Sequence, residues 1–362
     1  MLLTCAAGLG LAVTRGGDAE KDAVAPAPAT RTPAASIRPA ALQSAVVHIA
    51  AVGDVTMGWD AGRPADNGVA LLAGARPFLV GDVVLGNLET ALTDRGAAKC
   101  GAGSSSCYAF RVPPSFTRGL KTAGFTIMNL ANNHAYDYGA AGQAQTVAAL
   151  RKARLRTTGR PGEIAILKVG QARVAVLGFA TYPWAQDARD LAAARALVRR
   201  ADAVADVVVV TGHLGAEGEA HTRVRPGTEL FLGENRGDPV AFSHAVVQAG
   251  ADLVALHGPH VLRALEWYRG RLIAYSLGNF SAYGNFNLSG PSGVSAVLQA
   301  TLRANGAWVE GRLRPLRLVG KGAPVADPSA LAIEQVRSLS RADMGRRAPR
   351  LTASGAILPV RG

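Results

Sequence analysis

The 362-residue chain has little cysteine, few aromatic side chains and fewer acidic than basic residues. Three cysteines without neighbouring histidines cannot supply the four ligands of a structural zinc site, so that kind of site is excluded. Phe, Trp and Tyr make up 6% of the chain and do not alternate with basic residues, so we expect no nucleic-acid partner. The formal net charge of +13 suits an anionic surface polymer or its precursors, a phosphate ester or a membrane headgroup. The base composition of the gene can also enrich arginine, without any such partner.

The amino terminus lacks an apolar run long enough to cross a membrane. Leu2 to Val13 is apolar, but it is shorter than the roughly 20 residues that a spanning helix needs, and no basic region precedes it. We interpret residues 1–14 as a signal or membrane anchor clipped by a late start. Cys5 fits a lipoprotein cysteine or a thiol within that anchor. Residues 15–44 are rich in alanine and proline and predict a semi-rigid tether. We therefore expect an extracytoplasmic protein, held at a membrane or cell surface or secreted.

The other two cysteines are close in sequence. Cys100 and Cys107 flank a flexible run of glycine, alanine and serine, which closes easily into a disulfide in an oxidising compartment. We predict this disulfide, and it agrees with a location outside the cytoplasm.

Hydrophobic residues make up 49% of the chain, enough to bury a core of its own. Strand and helix patterns alternate, which predicts an α/β fold. We assign residues 45–320 to one domain and residues 321–362, which are weakly patterned, to a C-terminal extension. Residues 218–238 are charged and unpatterned, and a loop of that length predicts a functional or mobile rim over a site.

Polar clusters follow five apolar strands at the point where each strand ends. Ligands in α/β folds gather beyond the carboxyl ends of the strands, so these groups converge if the strands are neighbours. The five clusters are Asp54, Asn87 with Glu89, Asn133 with His134, His213, and His257 with His260.

The stretch from Leu130 to Gly139 holds two carboxamides, an imidazole and a carboxylate. By itself it fits a polar strand-to-helix turn as well as a site, because Asn, Asp and Gly are ordinary turn residues. The four companion strand ends favour a site. His213 also fits a capping or core histidine, and His134 fits an acid as well as a ligand.

The combined donor set consists of three or four imidazoles, carboxylates and an amide oxygen, with no thiolate. Such a set suits Mn, Fe or Zn, as one ion or a pair. A pair of ions can clamp an in-line displacement at phosphorus or generate hydroxide near neutral pH. We therefore predict divalent metal ions as cofactors, and the residues alone leave open whether one ion or a pair is bound.

These clusters resemble the CapA family of poly-γ-glutamate capsule synthesis proteins. The resemblance covers about Ala50 to Ala282 and implies a four-layer α/β/β/α sandwich of the metallo-dependent phosphatase type, with two metals in its site. It also implies surface-polymer synthesis as the setting. The motifs that carry it are Gly53-Asp54, Gly86-Asn87-Leu88-Glu89, Ala131-Asn132-Asn133-His134 with Asp137-Tyr138-Gly139, His213-x-Gly215-x-Glu217, His257-x-Pro259-His260-Val261 and Ser276-Leu277-Gly278-Asn279-Phe280.

The resemblance also implies roles for individual residues. His134 would protonate the leaving group and Asp137 would orient it, while metal-bound hydroxide attacks a phosphoester or a γ-glutamyl amide. The implied metal ligands are Asp54, Glu89, Asn133, His213, His257 and His260. We expect substrate contacts from Asn87, Glu217 and Asn279.

Two positions depart from the family pattern. Thr56 stands where phosphoesterases carry a metal-binding histidine, and Gly258 stands where the family has a further histidine. These departures predict that one metal position is weak or empty. They leave open an alternative function, a non-catalytic, membrane-tethered module that binds or exports an anionic polymer on the same fold.

Overall fold

The computed structural model describes residues 45–60, 62–101, 107–284 and 287–360. The predicted anchor and tether, residues 1–44, lie outside the described residues. Within the described part of the chain, every helix is too short or too polar to cross a membrane.

The described chain alternates strands and helices. The strands are β1 (Val46–Thr56), β2 (Val83–Leu88), β3 (Ala91–Leu92), β4 (Arg111–Val112), β5 (Ile127–Asn129), β6 (Arg156–Thr158), β7 (Ala165–Val169), β8 (Ala172–Ala180), β9 (Val207–His213), β10 (Leu230–Phe231), β11 (Glu234–Asn235), β12 (Leu253–His257), β13 (Leu265–Tyr268), β14 (Arg271–Ala274), β15 (Asn279–Ala282), β16 (Val294–Arg303), β17 (Trp308–Val319), β18 (Ala323–Ala326), β19 (Arg350–Leu351) and β20 (Ile357–Leu358). The α-helices are α1 (Val69–Ala73), α2 (Thr117–Ala123), α3 (Gly139–Lys152), α4 (Leu191–Asp202), α5 (Pro239–Gln248) and α6 (Leu331–Met344).

Two large sheets organise the fold. The first has the order β18-β17-β16-β1-β2-β5-β6, with β15 also paired to β1, and the second has the order β13-β14-β12-β9-β8-β7. Strands β1, β2, β5 and β6 run parallel, and so do β8, β9, β12 and β14. In each sheet these parallel strands therefore end at the same edge.

The two sheets pack face to face between two layers of helices. Strand β9 shows why, because Val207 and Val209 point into the core shared by both sheets while Val208 and Val210 point to the helices behind. Helices α4 and α5 cover the outer face of the second sheet, and α1, α2 and α3 cover the first. This is the predicted four-layer α/β/β/α arrangement, which is confirmed.

Capping residues define where the helices over the second sheet begin. The Asp190 carboxylate accepts hydrogen bonds from two backbone amides of α4, and Asp238 does the same for α5, where Pro239 occupies the first helical position.

In the segment assigned to a C-terminal extension, β18 pairs with β17 in the first sheet. Helix α6 packs against both β17 of the first sheet and β13 of the second.

A close backbone contact positions the end of β1. The Asp54 amide donates to the Gly278 carbonyl over 2.9 Å, and a side chain at Gly53 would place its Cβ 1.8 Å from that carbonyl oxygen. Glycine at residue 53 therefore lets β1 meet the turn before β15, and this contact places Asp54 at the sheet edge.

We expect Gly53→Ala to push these two backbone segments apart. Overpacking of this kind costs about 1–3 kcal/mol, and thermal unfolding of the purified variant should report it as a lower Tm. Gly101→Ala is the matched control, because a Cβ at residue 101 meets no atom within 4 Å. An unchanged Tm for Gly53→Ala would show that the contact does not constrain β1.

Candidate metal and catalytic site

The carboxylate of Asp54 lies where the two sheets meet at their carboxyl edge, and it is fully buried. Its Oδ1 accepts a hydrogen bond from Asn87 Nδ2 at 2.8 Å. The same oxygen lies 3.2 Å from His257 Nδ1 and 3.4 Å from His213 Nδ1, which come from the second sheet. Strands β9 and β12 are parallel neighbours with His213 opposite His257, so both imidazoles reach one oxygen.

The second oxygen of Asp54 faces another group. Its Oδ2 lies 3.0 Å from His260 Nδ1 and accepts a hydrogen bond from the Gly258 amide at 3.2 Å. His260 adopts a left-handed backbone conformation with φ of 59°, which is uncommon for histidine and is frequent at functional sites. Asp54 is thus shared by two possible metal-binding groups, Asp54 with His213 and His257, and Asp54 with Glu89 and His260.

The carboxylate of Glu89 is buried, and neither of its oxygens has a hydrogen-bond partner. Its Oε1 lies 3.6 Å from His213 Nε2 and 3.7 Å from His260 Nε2. A buried charge without a hydrogen-bonding partner is costly unless a counter-charge or a metal compensates it. Burial raises the pKa of Glu89 well above its ordinary value. A bound cation would supply the missing partner and favour the charged form of Glu89.

The protonation states of the neighbouring groups differ from one another. Burial lowers the pKa of His213 to about 3, so this imidazole is neutral, the form in which histidine binds metal. Burial also disfavours charge on His260, but the carboxylates of Glu89 and Asp54 raise its pKa to about 10. Burial acts to raise the pKa of Asp54, yet its three imidazole partners hold that pKa well below its usual range.

A polar network behind the ligands holds Asn87. Asn129 and Asn132 each donate from Nδ2 to Asn87 Oδ1 at 2.9 Å. The hydroxyl of Thr211 lies 3.0 Å from His257 Nε2 and orients that ring. Sequence reasoning missed Asn129 and Thr211, although a polar residue in a buried apolar strand is a signal of such a role. Asn87 therefore supports Asp54 from within the protein.

The turn after β5 presents the predicted acid. His134 Nδ1 lies 2.7 Å from Asp137 Oδ2, and the His134 amide donates to Asn132 Oδ1 at 3.0 Å. Burial lowers the pKa of His134, while Asp137 opposes that effect. The Oδ1 atom of Asn133 is buried without a hydrogen-bond partner, so it is available to a cation. Asn132, in contrast, shapes the turn.

A cavity of about 320 Å³ opens in front of these groups. It brings His134, Glu89 and His260 to one surface, together with Glu217. The remaining lining residues are mostly aromatic or small, namely Trp59, Tyr108, Phe110, Gly218, Phe231 and Asn287.

Two of the three expected substrate contacts lie beside His260. The Glu217 carboxylate is 3.7 Å from His260 Nε2, and Asn279 Oδ1 is 3.0 Å from His260 Nδ1. Arg236, which sequence reasoning missed, is buried in the predicted rim and donates to Glu217 at 2.6 Å. Its position in an unpatterned loop gave no signal.

The residues present fit divalent cations, because the ligand atoms of the two groups are carboxylate oxygens and imidazole nitrogens that lie within 4.8 Å of one another in each group. At the departures from the family pattern, Thr56 Oγ1 is buried without a partner, and Gly258 offers Asp54 an amide hydrogen instead of an imidazole. The two groups contain five of the six predicted ligands, namely Asp54, Glu89, His213, His257 and His260, while Asn133 stays a prediction.

We expect Glu89→Gln to weaken binding of Mn²⁺ or Zn²⁺, because it removes a carboxylate from one of the two ligand groups. The loss should reach at least the roughly tenfold that removal of an outer partner of a metal ligand costs, measured by titration calorimetry. Glu310→Gln, at an exposed position, is the control. Unchanged metal binding by Glu89→Gln would remove this carboxylate from the ligand set.

Comparison with known proteins gives relatives named for capsule synthesis. The chain is 33% identical over 235 residues to the capsule biosynthesis protein CapA of Bacillus anthracis, covering 59% of this chain and 53% of that protein. It is 31% identical over 182 residues to the PGA biosynthesis protein CapA of Bacillus subtilis (strain 168), covering 44% of this chain and 43% of that protein. The chain spans about half the length of these curated relatives.

Among solved structures, a 5′-nucleotidase precursor from Thermus thermophilus aligns with 85% of this chain and 61% of its own. The TM-score is 0.40 and the sequence identity 14%, so no residue role is carried over from it. Residues 48–283 match the family described as bacterial capsule synthesis protein PGA_cap, and the chain therefore belongs to that family.

Proposed function

We propose that this protein is an extracytoplasmic, metal-dependent hydrolase of capsule or poly-γ-glutamate metabolism, acting on a phosphoester or a γ-glutamyl amide. The observation that carries the proposal is the pair of ligand groups that share Asp54, one of which contains the buried Glu89 carboxylate that lacks a hydrogen bond. His134 lies on the wall of the same cavity. A cation site and a proton donor on one surface are what hydrolysis of such a bond requires.

His134 supplies the proton in this proposal. Its Nδ1 hydrogen bonds to Asp137, so the protonated ring carries its second proton on Nε2, and that proton can pass to a leaving group in the cavity. Burial opposes the protonated form, and the Asp137 carboxylate favours it by raising the pKa of His134. The His134 backbone amide donates to Asn132 Oδ1, which fixes the turn that carries the ring. Divalent cations, when bound, would polarise the oxygen of the scissile group and lower the pKa of a coordinated water.

The biological setting comes from the relatives. Proteins named for capsule and PGA biosynthesis share 31–33% identity with this chain. An anionic surface polymer or its precursors would be the substrate, which agrees with the formal net charge of +13. The predicted anchor in residues 1–14 and the tether in residues 15–44 would hold the domain outside the cytoplasm.

We expect His134→Gln to lower kcat for a chromogenic phosphodiester by about 10²–10⁴-fold, because general acid catalysis contributes on that scale. Bound metal, measured by elemental analysis, should stay at the wild-type level. His48→Gln, at an exposed position on β1, is the histidine control. Full turnover by His134→Gln would remove His134 from the mechanism.

A second function is favoured by the departures at Thr56 and Gly258, which leave each cation group with few ligands. The protein would then bind or export an anionic polymer without cleaving it. In that case Asp54→Ala should retain polyglutamate binding, with no turnover by either form. The binding module would be rejected by a different result, obtained at a salt concentration that abolishes polymer binding. In that result the wild type still hydrolyses a model phosphodiester, and Asp54→Ala does not.

A further inference from the structure

The carboxylate of Asp137 is fully buried and is held by more than His134. Two segments that lie outside the motif approach it, one on each oxygen. They belong to the chain on either side of the Cys100–Cys107 disulfide, which is present in the structure as the sequence predicts. We call these two contacts, from Lys99 and Phe110, the clamp. Neither residue takes part directly in the proposed chemistry.

Lys99 makes the first half of the clamp. Its Nζ lies 2.7 Å from Asp137 Oδ1, and its backbone amide donates to the Asp137 carbonyl at 2.7 Å. The ammonium group also donates to the Asn133 carbonyl at 3.3 Å. Lys99 therefore contacts the Asp137 side chain, its backbone and the turn that carries the predicted acid.

Phe110 makes the second half. Its backbone amide donates to Asp137 Oδ2 at 2.7 Å, and this is the oxygen that faces His134 Nδ1. The Phe110 ring lies 4.3 Å from the imidazole of His134, centre to centre. The Phe110 carbonyl in turn accepts from the Ala91 amide at 3.0 Å, which ties this segment to strand β3.

The disulfide joins the two halves. Cys100 directly follows Lys99, and Cys107 precedes Phe110 by three residues. A covalent link at these positions limits how far Lys99 and Phe110 can move apart. We propose that Lys99 is a positioning residue for the His134–Asp137 pair, and that the Cys100–Cys107 disulfide holds Lys99 in place. The catalytic role of the His134–Asp137 pair rests on the proposed function, whereas the contacts that hold the pair do not.

A purely structural role for the same contacts makes different predictions. An ion pair that only neutralises a buried carboxylate would affect Tm and leave the placement of His134 and kcat unchanged in folded protein. If the contacts position the pair, their loss moves His134 relative to Asp137 and lowers kcat, while KM stays near its wild-type value. Misplacement of a catalytic group affects the reacting geometry more than substrate binding.

Crystal structures and kinetics of the full chain distinguish these roles. The variants are Lys99→Met, Lys99→Arg as the conservative rescue, Cys100→Ser with Cys107→Ser, and Lys121→Met as the exposed-lysine control. Wild-type protein is also treated with dithiothreitol, which transfers two electrons and two protons to the disulfide and becomes a cyclic disulfide. This treatment tests the link without a substitution that could prevent folding.

We expect the His134 Nδ1 to Asp137 Oδ2 distance to exceed 2.7 Å, its present value, in Lys99→Met and in both disulfide-free forms. In those forms kcat should fall about tenfold or more at little cost in KM, and Lys99→Arg should restore most of it.

An unmoved pair in Lys99→Met overturns the role of Lys99, whatever the rates are. A pair that moves in Lys99→Met but stays in the disulfide-free forms overturns the role of the disulfide. Movement of the pair in a protein whose wild type hydrolyses no substrate supports the positioning and rejects the proposed hydrolysis.

Discussion

The buried carboxylate of Asp54 is the group on which the rest of the site depends. It extends from the first sheet, and each of its oxygens faces imidazoles supplied by the second sheet and the turn beyond it. The strands that carry these imidazoles must therefore end level with β1. Apolar packing between the sheets provides that alignment, since residues from both sheets form one continuous core.

Several buried polar atoms of the site lower the stability of the domain. Glu89, Asn133, His213 and Thr56 keep buried polar atoms without hydrogen bonds. Orphaned atoms of this kind are rare in folded proteins, and each is costly. Glu89 and His213 belong to the two ligand groups that share Asp54, where a bound cation would satisfy them, and the large apolar core offsets the cost.

Much of this arrangement could be predicted from the sequence. Asp54, His213 and His257 end buried strands, and parallel strands bring their ends to one edge, so local pattern and topology together place them. Lys99 and Arg236 could not be predicted in the same way. They act through long-range contacts from segments without periodicity, and only the packed chain shows which carboxylate each one meets.

The central claim, that Asp54 joins two cation sites, is tested most directly by anomalous diffraction from crystals of the purified protein grown with Mn²⁺ or Zn²⁺. The account predicts two anomalous peaks flanking the Asp54 carboxylate, one near His213 and His257 and the other near Glu89 and His260. The absence of any anomalous peak within coordination distance of Asp54 would contradict it.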